Sequence, residues 1–192
     1  LVTFHSYASN LVPGDTNGKP DVFVHDRQTG QTTRVSVASD GTEGNGDSYY
    51  PTMAAEGRYV AYLSYATNLV AGDANNQRDA FLHDRQTGQT MRISLAADGA
   101  EGNGPCYPFP SVSATGRWVA FVSYASNLVP GDTNGSADIF VHDRWVSSAP
   151  WDVNLDGVVD IGDMGKVGLR WGETGLPCWI REDVNCDGVV DI

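Results

Sequence analysis

Two neighbouring stretches decide the fold: Ala55-Glu56-Gly57-Arg58-Tyr59-Val60-Ala61-Tyr62-Leu63-Ser64, and Asp79-Ala80-Phe81-Leu82-His83-Asp84-Arg85-Gln86-Thr87-Gly88. Each is a short apolar run opened and closed by turn-forming or charged residues. Runs of this length, rich in β-branched and aromatic side chains, read as strands covered on both faces. Both stretches recur. Arg117–Ser123 copies the first, and Asp21–Gly30 copies the second. Ser6-Tyr7-Ala8-Ser9-Asn10-Leu11-Val12 returns at Ser64–Val70 and again at Ser123–Val129. His25-Asp26-Arg27 returns at His83 and at His142, so the offsets are 58 and 59 residues. A fixed period of this size means an array of supersecondary units.

Each unit is expected to hold four strands, typified by Arg58–Ser64, Asp21–Asp26, Thr32–Val37 and the segment before the next Gly turn. That last segment is Tyr50–Ala54 in one unit and Phe109–Ser113 in another. Four antiparallel strands per repeat is the arithmetic of a propeller blade. On these residues, above all 55–62 and 79–88, the stretch 1–145 resembles the TolB-type, WD-like β-propeller repeat. The resemblance implies a mainly β fold, here a partial propeller of about three blades. Such blades are usually nearer to about 40 residues, and the excess falls in two loops, Asn10–Pro20 and Ser39–Ser48. Closed propellers have about four to eight blades. The repeat is also lost after Arg144, where Trp145-Val146-Ser147-Ser148 replaces the turn and final strand. The expectation is that a strand from upstream in a longer parent completes that last blade.

After a linker at 146–150 the pattern changes. Asp152-Val153-Asn154-Leu155-Asp156-Gly157-Val158-Val159-Asp160-Ile161-Gly162-Asp163 follows the plan of an EF-hand loop. Calcium takes about six to eight hard oxygens, supplied by alternate side chains and one backbone carbonyl, with Gly at the sharp turn. The expected ligands are Asp152, Asn154, Asp156, Asp160 and Asp163, with the carbonyl of Val158. A second copy begins at Asp183 and offers Asn185, Asp187 and Asp191, with the carbonyl of Val189; this sequence ends at Ile192, before its twelfth position. The pair resembles a type I dockerin over 151–192. That resemblance implies a small α module with Ca2+ as its cofactor, docking onto a cohesin-like protein or a cell-surface scaffold, in an extracellular setting. Loop positions 10 and 11 are Ile161 and Gly162, not the polar pair usual in dockerins, which leaves an atypical partner open. The helix expected from Ile161 to Trp171 carries Ile161, Met164, Val167 and Trp171 on one face.

Charge agrees with a cation-binding tail. The formal net charge is -12, and residues from 151 onward carry nine acidic side chains against three basic ones, half of that charge. Such a surface repels nucleic acid and anionic lipid. No run of about 18 apolar residues offers a membrane span. Of the three cysteines, Cys178 and Cys186 are close enough in sequence to bridge, but spacing alone leaves bridge and free thiols equally open.

Three further features bear on function. The His-Asp pairs at 25–26, 83–84 and 142–143 invite a catalytic reading, but neighbours in a strand face opposite ways, and the set repeats in every unit. They are expected to be structural, as hydrogen bonds between blades. The loops Asp15–Asp21, Asp73–Asp79 and Asp132–Asp138 place oxygen-bearing residues at relative positions 1, 3 and 7, which suits either a calcium ion or Asx turns. No Gly-x-Ser-x-Gly elbow, His-Glu-x-x-His helix or sialidase-type Asp box is present. The leading expectation is thus a non-enzymatic, secreted interaction protein that offers a protein or glycan ligand a propeller surface. The runner-up is a fragment of a carbohydrate-active propeller enzyme with its catalytic residues in other blades, since dockerins often accompany glycan-degrading enzymes.

Overall fold

A computed structural model of the chain describes residues 1–144. These form ten strands and no helix: β1 (Val2–Ser6), β2 (Asp21–His25), β3 (Thr32–Arg34), β4 (Ser48–Met53), β5 (Tyr59–Ser64), β6 (Asp79–Asp84), β7 (Gln89–Arg92), β8 (Cys106–Val112), β9 (Trp118–Ser123) and β10 (Asp138–Asp143). The fold is mainly β, as expected. The calcium loops at 152–163 and 183–192, and the helix expected between them, lie outside the described residues.

The strands make three antiparallel sheets in the orders β1-β2-β3, β4-β5-β6-β7 and β10-β9-β8. The four-stranded unit predicted by the repeat is thus present in full once. Among the described residues the first sheet lacks the counterpart of β4, and the third lacks the counterpart of β7.

The sheets stack face to face, which explains the unbroken apolar runs. All six residues of β5 and all six of β6 are buried. One face of the middle sheet packs Val60, Tyr62 and Phe81 against Val22, Val24 and Val35 of the first sheet. Its other face packs Tyr59, Ala61, Leu63, Ala80, Leu82 and Ile93 against Val119, Phe121 and Phe140 of the third. Full burial of one such side chain contributes roughly 1.5–3 kcal/mol. Each sheet carries one ring pair at equivalent positions: Phe4–Phe23, Tyr62–Phe81 and Phe121–Phe140, with centroids 5.7, 5.9 and 5.6 Å apart.

Two boundaries differ from expectation. The strand predicted over Thr32–Val37 leaves the ladder after Arg34, because the Ser36 hydroxyl, not a backbone carbonyl, accepts the Val22 N–H at 3.0 Å. The strand predicted from Tyr50 begins earlier, at Ser48, and the one predicted from Phe109 begins at Cys106. Both contain a bulge, between Tyr49 and Thr52 and between Tyr107 and Ser111. Pro51 and Pro110 sit in these bulges, where no ladder N–H is required. The second bulge is one residue longer, and that residue accounts for the step from 58 to 59 in the period.

The two long loops of each unit are fasteners. Asn45 donates from its backbone to Asn68 and from its side chain to Thr67, and accepts the Thr67 N–H at 2.8 Å. Asn103 repeats this with Ser126 and Asn127. The recurring Ser-Tyr-Ala-(Ser/Thr)-Asn-Leu motif is therefore a clasp on the preceding repeat. Its leucine is 2% exposed at Leu69 and 6% at Leu128, but 36% at Leu11, in the first described repeat. Gly46 lets the backbones meet, since a Cβ there would lie 2.5 Å from the carbonyl carbon of Tyr65.

Candidate functional site

The His-Asp pairs are not dyads. His83 and Asp84 are successive residues of β6, so the strand points them to opposite faces. The His83 ring lies 2.8 Å from the Thr90 hydroxyl, which donates to the Val37 carbonyl of the neighbouring repeat. Asp84 instead accepts a two-pronged bond from Arg58, at 2.9 and 2.6 Å. His25 makes the same contact with Thr32, at 3.0 Å. Burial holds the His83 ring down at about 4, so it is neutral at physiological pH. The expected link between blades is therefore present, carried by the threonine to which the histidine bonds.

The acidic loops come together as two closed clusters and one open one. In the first, Arg34 lies 3.3 Å from Asp15, 3.3 Å from Asp21 and 2.5 Å from Glu43. In the second, Arg92 lies 3.1 Å from Asp73 and 2.6 Å from Glu101, and Ser94 donates to Asp79 at 2.6 Å. The cation at the centre of each is a guanidinium supplied by the strand that closes the sheet. The asparagine expected as an oxygen ligand is otherwise engaged. Asn17 Oδ1 accepts the Lys19 N–H at 2.8 Å, so its amide nitrogen turns to Asp21 at 2.9 Å. This is an Asx turn, and Asn75 repeats it with Gln77.

Each cluster holds more carboxylate than guanidinium, and the acids divide the strain. Burial, with the charge of Asp79 behind it, pushes Asp73 up to about 6 despite Arg92. Asp15 and Asp79 are also raised, chiefly by burial. Glu43 is held down at about 2 by two bonds from Thr16 and by Arg34. Glu101 is lowered by the Ala74 N–H and Arg92. The sequence reading missed Arg34, Arg92, Glu43 and Glu101. Their signal was available: Arg-Val-Ser at 34–36 matches Arg-Ile-Ser at 92–94, and Glu-Gly-Asn recurs at 43 and 101.

The third loop keeps the turn without the cluster. Asn134 accepts from Ser136 at 2.7 Å and donates to Asp138 at 2.9 Å. Among the described residues no arginine reaches Asp132 or Asp138, and the turn opens on a cleft of about 500 Å³. Among the described residues no three His, Cys, Asp or Glu side chains are placed so that they could hold a metal ion together. The predicted ligands Asp152, Asn154, Asp156, Val158, Asp160, Asp163, Asp183, Asn185, Asp187, Val189 and Asp191 lie outside those residues, as do Cys178 and Cys186. Cys106 is buried and unbridged, and burial lifts its thiol to about 11, which leaves it chemically quiet.

A second candidate surface lies along the bulges. His5, Tyr7, Tyr49, Tyr50 and Phe109 form a chain of ring contacts with centroids 5.4 to 6.4 Å apart. Tyr50 and Phe109 have φ of 53° and 72°, a left-handed backbone that bulky residues rarely adopt. Phe109 is nonetheless 75% exposed and Tyr7 73%. Beside them Arg78 lies between the rings of Tyr65 and Tyr107, which contacts Tyr124. Strain of this kind concentrates at ligand-binding positions.

No protein-family model and no curated protein matches the chain. Among solved structures it is similar to a protein described as TolB from Agrobacterium tumefaciens, at 21% identity and a TM-score of 0.42, over 67% of this chain and 39% of that one. It is also similar to the tricorn protease, at 17% identity and a TM-score of 0.43, over 67% of this chain and 12% of that one. TolB from Acinetobacter baumannii gives 17% identity and a TM-score of 0.28, over 69% of this chain and 37% of that one. The chain therefore spans well under half the length of these proteins.

Proposed function

We propose that this chain is a calcium-binding interaction protein of the cell exterior, in which propeller-type blades form a rigid platform and residues 151–192 form a dockerin-like anchor. The observation that carries the platform half is the aromatic row. It joins rings of β1, β4 and β8, with Phe109 and Tyr7 largely exposed and Tyr50 and Phe109 held in a left-handed backbone. Rings presented this way suit a glycan or an aromatic-rich protein surface. The anchor half rests on the doubled Asp-Val-Asn-x-Asp-Gly-Val-Val-Asp-Ile sequence at 152 and 183. Its partner would be a cohesin-like protein or a cell-surface scaffold.

Calorimetric titration of chelator-stripped protein with calcium tests the anchor. One or two ions are expected, and Asp152→Ala with Asp156→Ala should remove the tighter. Absence of binding overturns the calcium reading. Stoichiometry that falls on substitution of Asp132 and Asn134 would move the metal from the tail to the blade loops.

A further inference from the structure

The third repeat has half of a binding site that the other two repeats show complete. Asp132, Asn134, Asp138, Ile139 and Val141 stand where the second repeat has Asp73, Asn75, Asp79, Ala80 and Leu82, each 59 residues on. In the second repeat the site is filled by β7 and the residues after it. Arg92 pairs with Asp73, Ile93 donates its N–H to the Ala80 carbonyl at 2.7 Å, and Ser94 bonds both Asp79 and the Ala80 N–H. In the first repeat Arg34, Val35 and Ser36 do the same to Asp15, Asp21 and Val22. The ligand is thus seen twice, and in both cases it is an extended Arg-(aliphatic)-Ser segment.

On β10 no strand pairs with the outer side among the described residues. On its face, Ile139 and Val141 are 77% and 61% exposed, where Ala80 and Leu82 of the second repeat are covered by the third sheet; that contrast belongs to the face and not to the edge. The cleft of about 500 Å³ is lined by Asp132, Asn134, Asp138, Ile139 and Val141 among others. The turn is already set, because Asn134 makes the same two bonds as its counterparts.

We propose that the outer edge of β10 and the Asp132–Asp138 turn together form a docking site for an extended segment of sequence Arg-(Val/Ile)-Ser. The segment adds to the sheet as a fourth antiparallel strand. Its arginine enters between Asp132 and Asp138, and its serine hydroxyl bridges Asp138 and the Ile139 N–H. Main-chain pairing supplies part of the affinity, and the arginine and serine supply the choice of segment. This reading is independent of whether residues 151–192 bind calcium.

The probe is a labelled synthetic peptide with the sequence of residues 87–96, Thr-Gly-Gln-Thr-Met-Arg-Ile-Ser-Leu-Ala, titrated against the whole chain by fluorescence anisotropy. Saturable binding is expected. It should weaken by about tenfold or more when the peptide arginine is alanine, the scale of a lost charge-assisted bond. Asp138→Asn should weaken it similarly while leaving the unfolding midpoint unchanged, and Val141→Pro should weaken it by obstructing the edge. The proposal is overturned if the peptide does not bind, or if binding is indifferent to its arginine. It is also overturned if calcium alone fills the turn, seen as an ion lost with Asp138→Asn whose presence excludes the peptide.

Discussion

The turns Asp73–Asp79 and Asp132–Asp138 have the same Asx bond and share Asp, Asn and Asp at positions 1, 3 and 7, yet one is the inside of a sealed ion cluster and the other the wall of an open cleft. The difference is the strand laid beside them. Where β7 is present, Arg92 is 6% exposed and Asp73 3%, and the apolar face beneath is covered by the next sheet. Around β10 the equivalent side chains meet solvent. A repeat of this kind makes its turns locally but closes its charge clusters through the strand laid beside them in the same sheet, so turns with the same Asx plan do different work in the second repeat and in the third.

The largest test of that contrast is Arg92→Met. Removing the guanidinium leaves Asp73 and Glu101 facing each other with Asp79 nearby, and the loss should be about 3–5 kcal/mol, as for other buried pairs broken from one side. Asp132→Asn should stay within about 0.5 kcal/mol. Guanidinium-chloride midpoints of both variants measure the gap, and equal midpoints would mean that the closed cluster is solvated after all. Because burial and the charge of Asp79 push Asp73 up to about 6 even with Arg92 lowering it, and loss of Arg92 raises it further, lowering the pH toward 5 should return part of the stability lost in Arg92→Met.

The apolar faces make the next comparison. Leu82→Ala removes a fully buried side chain between two sheets and should cost about 3 kcal/mol. Val141→Ala, at the equivalent position of the third repeat, should cost less than about 0.5 kcal/mol. A large loss at Val141 in the isolated chain would show that something already covers that face.

The smallest effect is on pH dependence. His83 is depressed from 6.5 to about 4 when folded. Its contribution is present above pH 6.5 and is lost as pH falls toward 4, because the unfolded chain binds the proton first. The loss between pH 7.5 and pH 5 should be about 2 kcal/mol, and His83→Gln should flatten that slope. An NMR titration placing the ring near 6.5 would contradict the burial that the stacked sheets impose.

Much of this was legible in the chain. The period, the strand count of a whole repeat and the structural role of His83 followed from spacing and from strand alternation. The loops were legible only in part. Asp15, Asn17 and Asp21 have the residue types of a calcium loop, but which cation meets them depends on Arg34, which enters from another strand 13 residues beyond Asp21. The aromatic row was not legible at all, since it joins His5, Tyr49 and Phe109 across repeats, and the left-handed backbone at Tyr50 and Phe109 has no glycine to announce it.

The sequence by itself determined the repeating strands and their Asx turns, because alternation, β-branched runs and Asn-backbone bonds act within a few residues. Only the tertiary structure decided which carboxylates are sealed, which faces are buried and which clasps are engaged. Those outcomes depend on a neighbouring sheet excluding water, and an identical local sequence has one fate with that neighbour and another without it.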